Sequence, residues 1–217
     1  MSVKENSNER GNVLFIILIA IALFAALSAV VANMMRGSGG SVEVSEEKAR
    51  IYADEIIDYA RGIRQAVQEL RISNGCSETE ISFENNEVSG YINGANTECQ
   101  VFHPDGGGLR YIAVQEGVND GSDWVFTGQN HADDIGSSSA ELIIILPNIS
   151  SSICSAVNDK TGITALGNDA AIDFTKFTGA YNATQTIDFS DNIMSGCLSY
   201  DNSGTDEPFF YQVLIAQ

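Results

Sequence analysis

Residues 45–71 read SEEKARIYADEIIDYARGIRQAVQELR, and this stretch decides the fold class. Its apolar side chains recur three or four residues apart, so they share one face of an α-helix. Ser45 is suited to cap the amino end of this helix, and Asn74-Gly75 is a stop signal. The spacing predicts an amphipathic helix packed on a sheet, with a coiled coil as the alternative. The apolar face comprises Ala49, Tyr52, Ala53, Ile56, Ala60, Ile63, Val67 and Leu70.

The chain after this helix predicts short strands separated by polar turns. Apolar residues there alternate or cluster in runs bounded by Gly, Asn, Asp and Pro, which is typical of strands. The predicted strands are 80–83, 87–92, 100–102, 109–115, 123–127, 141–146 and 209–216. A short helix is predicted over 150–161, with Cys154 and Val157 on one side. One long helix before an antiparallel sheet is an α+β arrangement.

Residues 12–35, NVLFIILIAIALFAALSAVVANMM, contain no charged side chain. As a helix this run would be long enough to cross a hydrocarbon core of about 30 Å. It predicts a transmembrane helix over residues 12–36 in contact with membrane lipid. A flexible linker is predicted over 37–43 and an extracytoplasmic head over 44–217. The alternative is cleavage by signal peptidase after Ala32, which would release a secreted chain that begins at Asn33.

The junction Glu9-Arg10-Gly11, directly before the apolar run, resembles a type IV prepilin leader. The resemblance implies that prepilin peptidase removes residues 1–11 by cutting between Gly11 and Asn12. It also implies a non-enzymatic pilin-like or minor pseudopilin-like subunit of a cell-envelope filament or secretion apparatus. Other pilin-like subunits would be its partners. Because the leader is short and polar and the cysteines favour an oxidising compartment, we predict a cytoplasmic amino terminus and a periplasmic or extracellular head.

The charge of the chain excludes nucleic acid as a partner. Residues 72–217 carry 20 acidic side chains, and their fixed positive charges are Arg110, Lys160 and Lys176. A polyphosphate backbone would be repelled by such a surface.

The four cysteines, Cys76, Cys99, Cys154 and Cys197, all follow the apolar run. An even number of cysteines on the exported side predicts two disulfides. Three pairings are possible, and sequence neighbourhood favours Cys76–Cys99 and Cys154–Cys197. The absence of a CxxC motif argues against a zinc site of the cysteine type.

Oxygen-bearing side chains alternate around a glycine in residues 201–207, DNSGTDE. Such a loop suits calcium, which takes six to eight oxygen ligands from flexible backbone. We predict Asp201, Ser203, Asp206 and Glu207 as calcium ligands. The resemblance supports this prediction, because major pseudopilins carry calcium in a late loop.

Both histidines stand in polar loops. His103 opens the sequence HPDGGG, for which a tight glycine-rich turn is the simpler interpretation. His131 precedes Asp133 and Asp134, a set that could contribute to a metal site but lacks a further ligand at suitable spacing. Two functional alternatives therefore stay open beside a pilin-like subunit. One is a membrane-tethered binding or scaffolding domain, and the other is an exported hydrolase with a perturbed carboxylate pair.

Overall fold

The computed structural model describes residues 15–24, 45–94, 96–163, 167–169, 172–187 and 193–217. The chain divides into two compact units, Met1–Glu43 and Val44–Gln217. In the first unit the structure describes helix α1 over residues 15–24. The predicted leader 1–11, the junction of Gly11 and Asn12, and the linker 37–43 lie outside the described residues.

The prediction of a transmembrane helix over residues 12–36 is wrong. Of residues 12–36 the structure describes 15–24, which are helical. Within the described part of the chain, no helix combines the length and the apolar character that crossing a membrane requires. The single-pass membrane localisation rested on this helix and is corrected with it.

The predicted amphipathic helix is confirmed as α2, Glu46–Ser73, with Ser45 in the N-cap position. Apart from half-buried Tyr52, its apolar face is buried, and Ala53, Ala60 and Ile63 are fully inaccessible to solvent. After the helix, Gly75 adopts a left-handed φ of 68°. That conformation is easiest for glycine, and it lets the Cys76 N–H donate to the Leu70 carbonyl at 3.1 Å. Cys76 is thereby placed beside Cys99.

Six strands of the second unit form one sheet in the order β3-β5-β6-β2-β1-β4. The strands β2, β6 and β5 are antiparallel neighbours, whereas β4 is parallel to β1 and β3 is parallel to β5. The predicted antiparallel sheet is therefore corrected to a mixed sheet, and the α+β class stands. The strands are β1 Val125–Ala132, β2 Glu141–Leu146, β3 Gly167–Asp169, β4 Gln185–Ile187, β5 Ser195–Asn202 and β6 Thr205–Ile215.

The core lies on both faces of this sheet. Along β2, Leu142, Ile144 and Leu146 pack into the cluster beneath α2, while Ile143 and Ile145 pack into a second cluster on the opposite face. This alternation follows the two-residue period of a strand. Helix α3, Ser151–Thr161, packs against α2 and β5 on the first face.

The predicted strands 80–83, 87–92, 100–102 and 109–115 are wrong. Among the described residues of these segments, the one strand-like pairing is an isolated bridge between Ser82 and Gln100. Their backbone groups instead bond to nearby side chains, as where Asn85 Oδ1 accepts from the N–H groups of Glu87 and Val88 at 2.9 and 2.7 Å. The side chains of Phe83 and Tyr91 are buried although their backbone is irregular. In these segments, apolar residues that alternate along the sequence therefore do not belong to a sheet.

Candidate functional site

The four predicted calcium ligands lie at the β5–β6 hairpin. Asp201 pairs with Asp206 across the two strands, and Glu207 pairs with Tyr200. Between the strands, Ser203 and Gly204 have φ values of 57° and 90°, as a tight two-residue turn requires. Asp201 Oδ1 accepts the Gly204 N–H at 2.6 Å. The loop is thus a hairpin turn that uses one predicted ligand to fix its own backbone.

Calcium binding at this turn stays a prediction. Across the described ranges, no group of three or more His, Cys, Asp or Glu side chains is arranged to hold a metal ion. The same finding applies to His131 and Asp133, whose Nε2 and Oδ1 atoms are 4.0 Å apart.

His131 has a partner that the sequence did not indicate. Its Nδ1 lies 3.6 Å from Oε2 of Glu141, a side chain with no exposed surface, and 3.0 Å from the Ser139 carbonyl oxygen. Glu141 Oε2 also accepts the Ala132 N–H, while Oε1 has no hydrogen-bond partner. Burial raises the pKa of the Glu141 carboxyl, against the lowering effects of the Ala132 N–H and His131. Glu141 opens β2, so its sequence position gave no sign of burial.

The glycines after His103 serve a close backbone approach. A Cβ on Gly107 would lie 2.6 Å from the Val101 carbonyl oxygen, closer than real Cβ atoms come. His103 Nδ1 accepts the Asp105 N–H at 3.2 Å. The loop therefore folds back on the chain, as the simpler interpretation predicted.

The structure contains the Cys76–Cys99 disulfide, the pairing that sequence neighbourhood favoured. The second expected bridge is absent, because Cys154 and Cys197 are free and buried. Burial and the neighbouring Cys154 thiol raise the pKa of the Cys197 thiol well above its ordinary value. Both thiols lie in the core, where a protonated sulfur behaves as a small apolar group.

The structure brings together a groove that the sequence did not predict. It lies between α2 and the irregular segment 109–118 and has a volume of about 340 Å³. Its base is aromatic, with the Tyr59 and Trp124 rings 5.1 Å apart. The described residues that line it are Tyr52, Glu55, Ile56, Asp58, Tyr59, Ile112, Ala113, Val114, Gln115, Val118, Trp124 and Leu146.

Local contacts hold the groove in shape. The Ile112 N–H donates to the Tyr59 hydroxyl at 3.3 Å, and Gln115 Nε2 donates to Glu55 Oε2 at 2.9 Å. Burial raises the pKa of Tyr59 to about 12, so its hydroxyl stays protonated at neutral pH. These bonds attach segment 109–118 to α2, and the groove runs along the seam.

The rim of the groove combines apolar and acidic side chains. Ile112 is 54% exposed, which is high for a large aliphatic residue beside a pocket. Glu55 and Asp58 stand one helical turn apart on the exposed side of α2. An apolar base beneath two carboxylates suits a ligand that is apolar at one end and positively charged at the other.

The lining of the groove is mainly apolar and aromatic, which is typical of a binding site. Its titratable side chains among the described residues are Glu55, Asp58, Tyr52 and Tyr59. The sequence could not indicate this site, because Tyr59, Ile112 and Trp124 are far apart along the chain. The one available signal was Trp124, the single tryptophan, placed directly before a strand.

Comparison of the chain with family models, with characterised proteins and with solved structures finds no match.

Proposed function

We propose that this protein is a non-enzymatic binding domain that takes a short segment of a partner polypeptide into the groove between α2 and segment 109–118. The segment would present an aromatic or long aliphatic side chain beside a Lys or Arg. The observation that carries the proposal is the pairing of an apolar base, Tyr59 and Trp124, with the acidic rim of Glu55 and Asp58.

The size of the groove supports this ligand class. Ligand-binding clefts commonly measure about 300–1,000 Å³ and are lined mainly by apolar and aromatic groups. A volume of about 340 Å³ is at the small end of that range, which suits one or two side chains and not a large cofactor.

The charge of the chain supports a basic partner. The formal net charge is −18, so a positively charged segment is attracted before it makes contact. Once docked, its Lys or Arg can pair with Glu55 or Asp58 and lie near an aromatic face. Asp58 is itself only 3.8 Å from exposed Arg61, a weak pair that an incoming cation can replace.

The test uses the fluorescence of Trp124, the only tryptophan, as a reporter inside the groove. Two acetylated peptides of equal length are titrated, one alternating Leu with Lys and the other alternating Leu with Glu. A third peptide alternates Ser with Lys and controls for charge alone. We expect a saturable change with the Leu–Lys peptide that the other two peptides do not produce.

Variants locate the binding. The double variant Glu55→Gln, Asp58→Asn neutralises the rim and should weaken binding of the Leu–Lys peptide about tenfold. The reason is that two partly exposed charge pairs together contribute about 1 kcal/mol or somewhat more. Glu69→Gln is the matched control, an exposed carboxylate on the same helix away from the groove. The proposal would be contradicted if the wild type, the rim variant and Glu69→Gln bound the Leu–Lys peptide with equal affinity. It would also be contradicted if the Ser–Lys peptide bound the wild type as tightly as the Leu–Lys peptide.

A pilin-like subunit is the second candidate function. The observation that favours it is the packing of the long helix α2 against the sheet, which is the helix-then-sheet layout of pilin heads. Its partners would be other pilin-like subunits and prepilin peptidase. The mass of the mature protein tests it: loss of residues 1–11, leaving Asn12 first, supports the proposal, and an intact amino terminus removes it.

A further inference from the structure

Three cations gather in a second pocket on this acidic chain. Residues 45–217 contain eight Lys and Arg side chains, and Arg61, Arg64 and Lys160 all line one open pocket of about 660 Å³. It lies between α2, the end of α3 and the start of β5, and its Arg61 is 3.8 Å from Asp58 on the rim of the groove described above. No Asp or Glu is among the described residues that line it.

The positive charge of the pocket is only partly neutralised by its surroundings. Lys160 Nζ lies 2.7 Å from Asp54 Oδ1, and Arg61 forms the long exposed pair with Asp58. The Arg64 guanidinium instead donates to the Met194 sulfur at 3.7 Å, a weak acceptor. No carboxylate of the described residues forms an ion pair with Arg64.

Two buried polar atoms beside these cations lack hydrogen-bond partners. Gln212 is only 2% exposed, and its Oε1 is unsatisfied. Ser195, its partner across the β5–β6 ladder, has a buried Oγ that is also unsatisfied. Both residues line the pocket. Leaving such groups unpaired costs about 1–3 kcal/mol each, so a ligand that bonds to them gains an advantage that plain surface charges do not offer.

We infer that this pocket binds a small oxyanion that also carries hydroxyl groups, such as a sugar phosphate or a sugar acid. The guanidinium of Arg64, with Arg61 and Lys160, holds the phosphate or carboxylate through charge-assisted hydrogen bonds. The neutral groups of Ser195 and Gln212, with exposed Gln65 on the helix side, bond to the hydroxyls. Phosphate and carboxylate share this recognition chemistry, and the probes below separate them.

Isothermal titration of the full-length protein tests the inference with four probes: glucose 6-phosphate, glucuronate, glucose and inorganic phosphate. Glucose 6-phosphate or glucuronate should bind at millimolar concentrations or below, more tightly than phosphate alone, and glucose should not bind. Higher salt should weaken binding, because an exposed ion pair is screened. If neither sugar anion binds, or if glucose binds equally well, the inference is overturned.

Variants place the anion in this pocket. Arg64→Gln and Lys160→Gln should each weaken binding about tenfold or more, since each removes a charge-assisted hydrogen bond. Arg50→Gln, an exposed arginine on the same helix outside the pocket, is the matched control and should leave affinity unchanged. Ser195→Ala should weaken the sugar anion while leaving inorganic phosphate unaffected. Equal affinity of Arg64→Gln and Arg50→Gln would overturn the inference, as would a Lys160→Gln variant that binds normally.

The two sites fail independently. The groove is tested with basic peptides and Glu55→Gln, and the pocket is tested with anions and the Arg64 and Lys160 variants. Asp58→Asn is left out of this comparison because it also removes the ion-pair partner of Arg61, which lines the pocket. A result at one site therefore leaves the other proposal standing.

Discussion

Removal of the Cys76–Cys99 disulfide gives the sharpest test of the fold. The two residues are separated by 23 positions in sequence, and the bridge closes the end of α2 onto the short 3₁₀ helix Thr97–Cys99. The chain-entropy relation for a loop of this size gives a stabilisation of about 3 kcal/mol. In a domain of this length, that corresponds to a fall in melting temperature of about 6–12 °C, at 2–4 °C per kcal/mol.

The assay is urea unfolding followed by far-ultraviolet circular dichroism. The oxidised protein is compared with the same protein under reductant and with the double variant Cys76→Ala, Cys99→Ala. Alanine is preferred to serine because both positions are buried, Cys99 at 1% exposure. Reduction and substitution should lower the free energy of unfolding by similar amounts.

One outcome would refute the reasoning. If the reduced protein lost less than about 1 kcal/mol, the loop 76–99 would already be ordered by its other contacts and the entropic account would fail. A further loss on adding reductant to the double variant would mean that Cys154 and Cys197 are bonded after all.

Three other perturbations follow from particular contacts. The pKa of Glu141 in the folded state lies above its ordinary value of 4.5. The wild type therefore loses stability as the pH rises from 4.5 through the folded-state pKa. Because a glutamine side chain does not titrate, Glu141→Gln should become stabilising relative to the wild type over the same pH range. Urea titrations in acid and at neutral pH check this, and a constant difference would contradict it. Ile144→Ala should cost about 2–5 kcal/mol because its side chain is fully buried in a central strand, with exposed Ile72→Ala as the control. Gly107→Ala should destabilise because its Cβ would meet the Val101 carbonyl, whereas Gly62→Ala on α2 should be neutral or stabilising in thermal unfolding, since nothing lies within 4 Å of its Cβ.

The sequence predicted the parts of the fold whose signal is local and long. Helix α2 repeats its apolar spacing over many turns, and β2 is a compact aliphatic run that ends directly before Pro147. Strand β6 was predicted only over its apolar second half, because its first residues, Thr205-Asp206-Glu207, are polar. Strand β5, SGCLSYDN, was missed for the same reason: its partners in the sheet, and not its composition, make it a strand.

Sequence patterns could not predict the groove or the basic pocket, for a different physical reason. The groove joins Tyr59 on α2 to Trp124 before β1, and the basic pocket joins Arg64 to Lys160 and Gln212. Such groups meet only through tertiary packing, which no short-range spacing records. The predicted calcium loop shows how one pattern can fit two structures, since alternating oxygen side chains suit a hairpin turn as well as a cation.

The strand order also determines when this sheet can be completed. Strand β6 is the last described strand in the chain, yet it lies between β5 and β2 near the centre of the sheet. During synthesis β2 emerges long before β6, and until then one edge of β2 and one edge of β5 have no neighbour. Open edges of apolar strands are templates for misassembly between nascent chains. A polypeptide stalled before residue 205 would hold two unjoined halves of the sheet, so folding of the domain has to wait for its carboxyl-terminal strand.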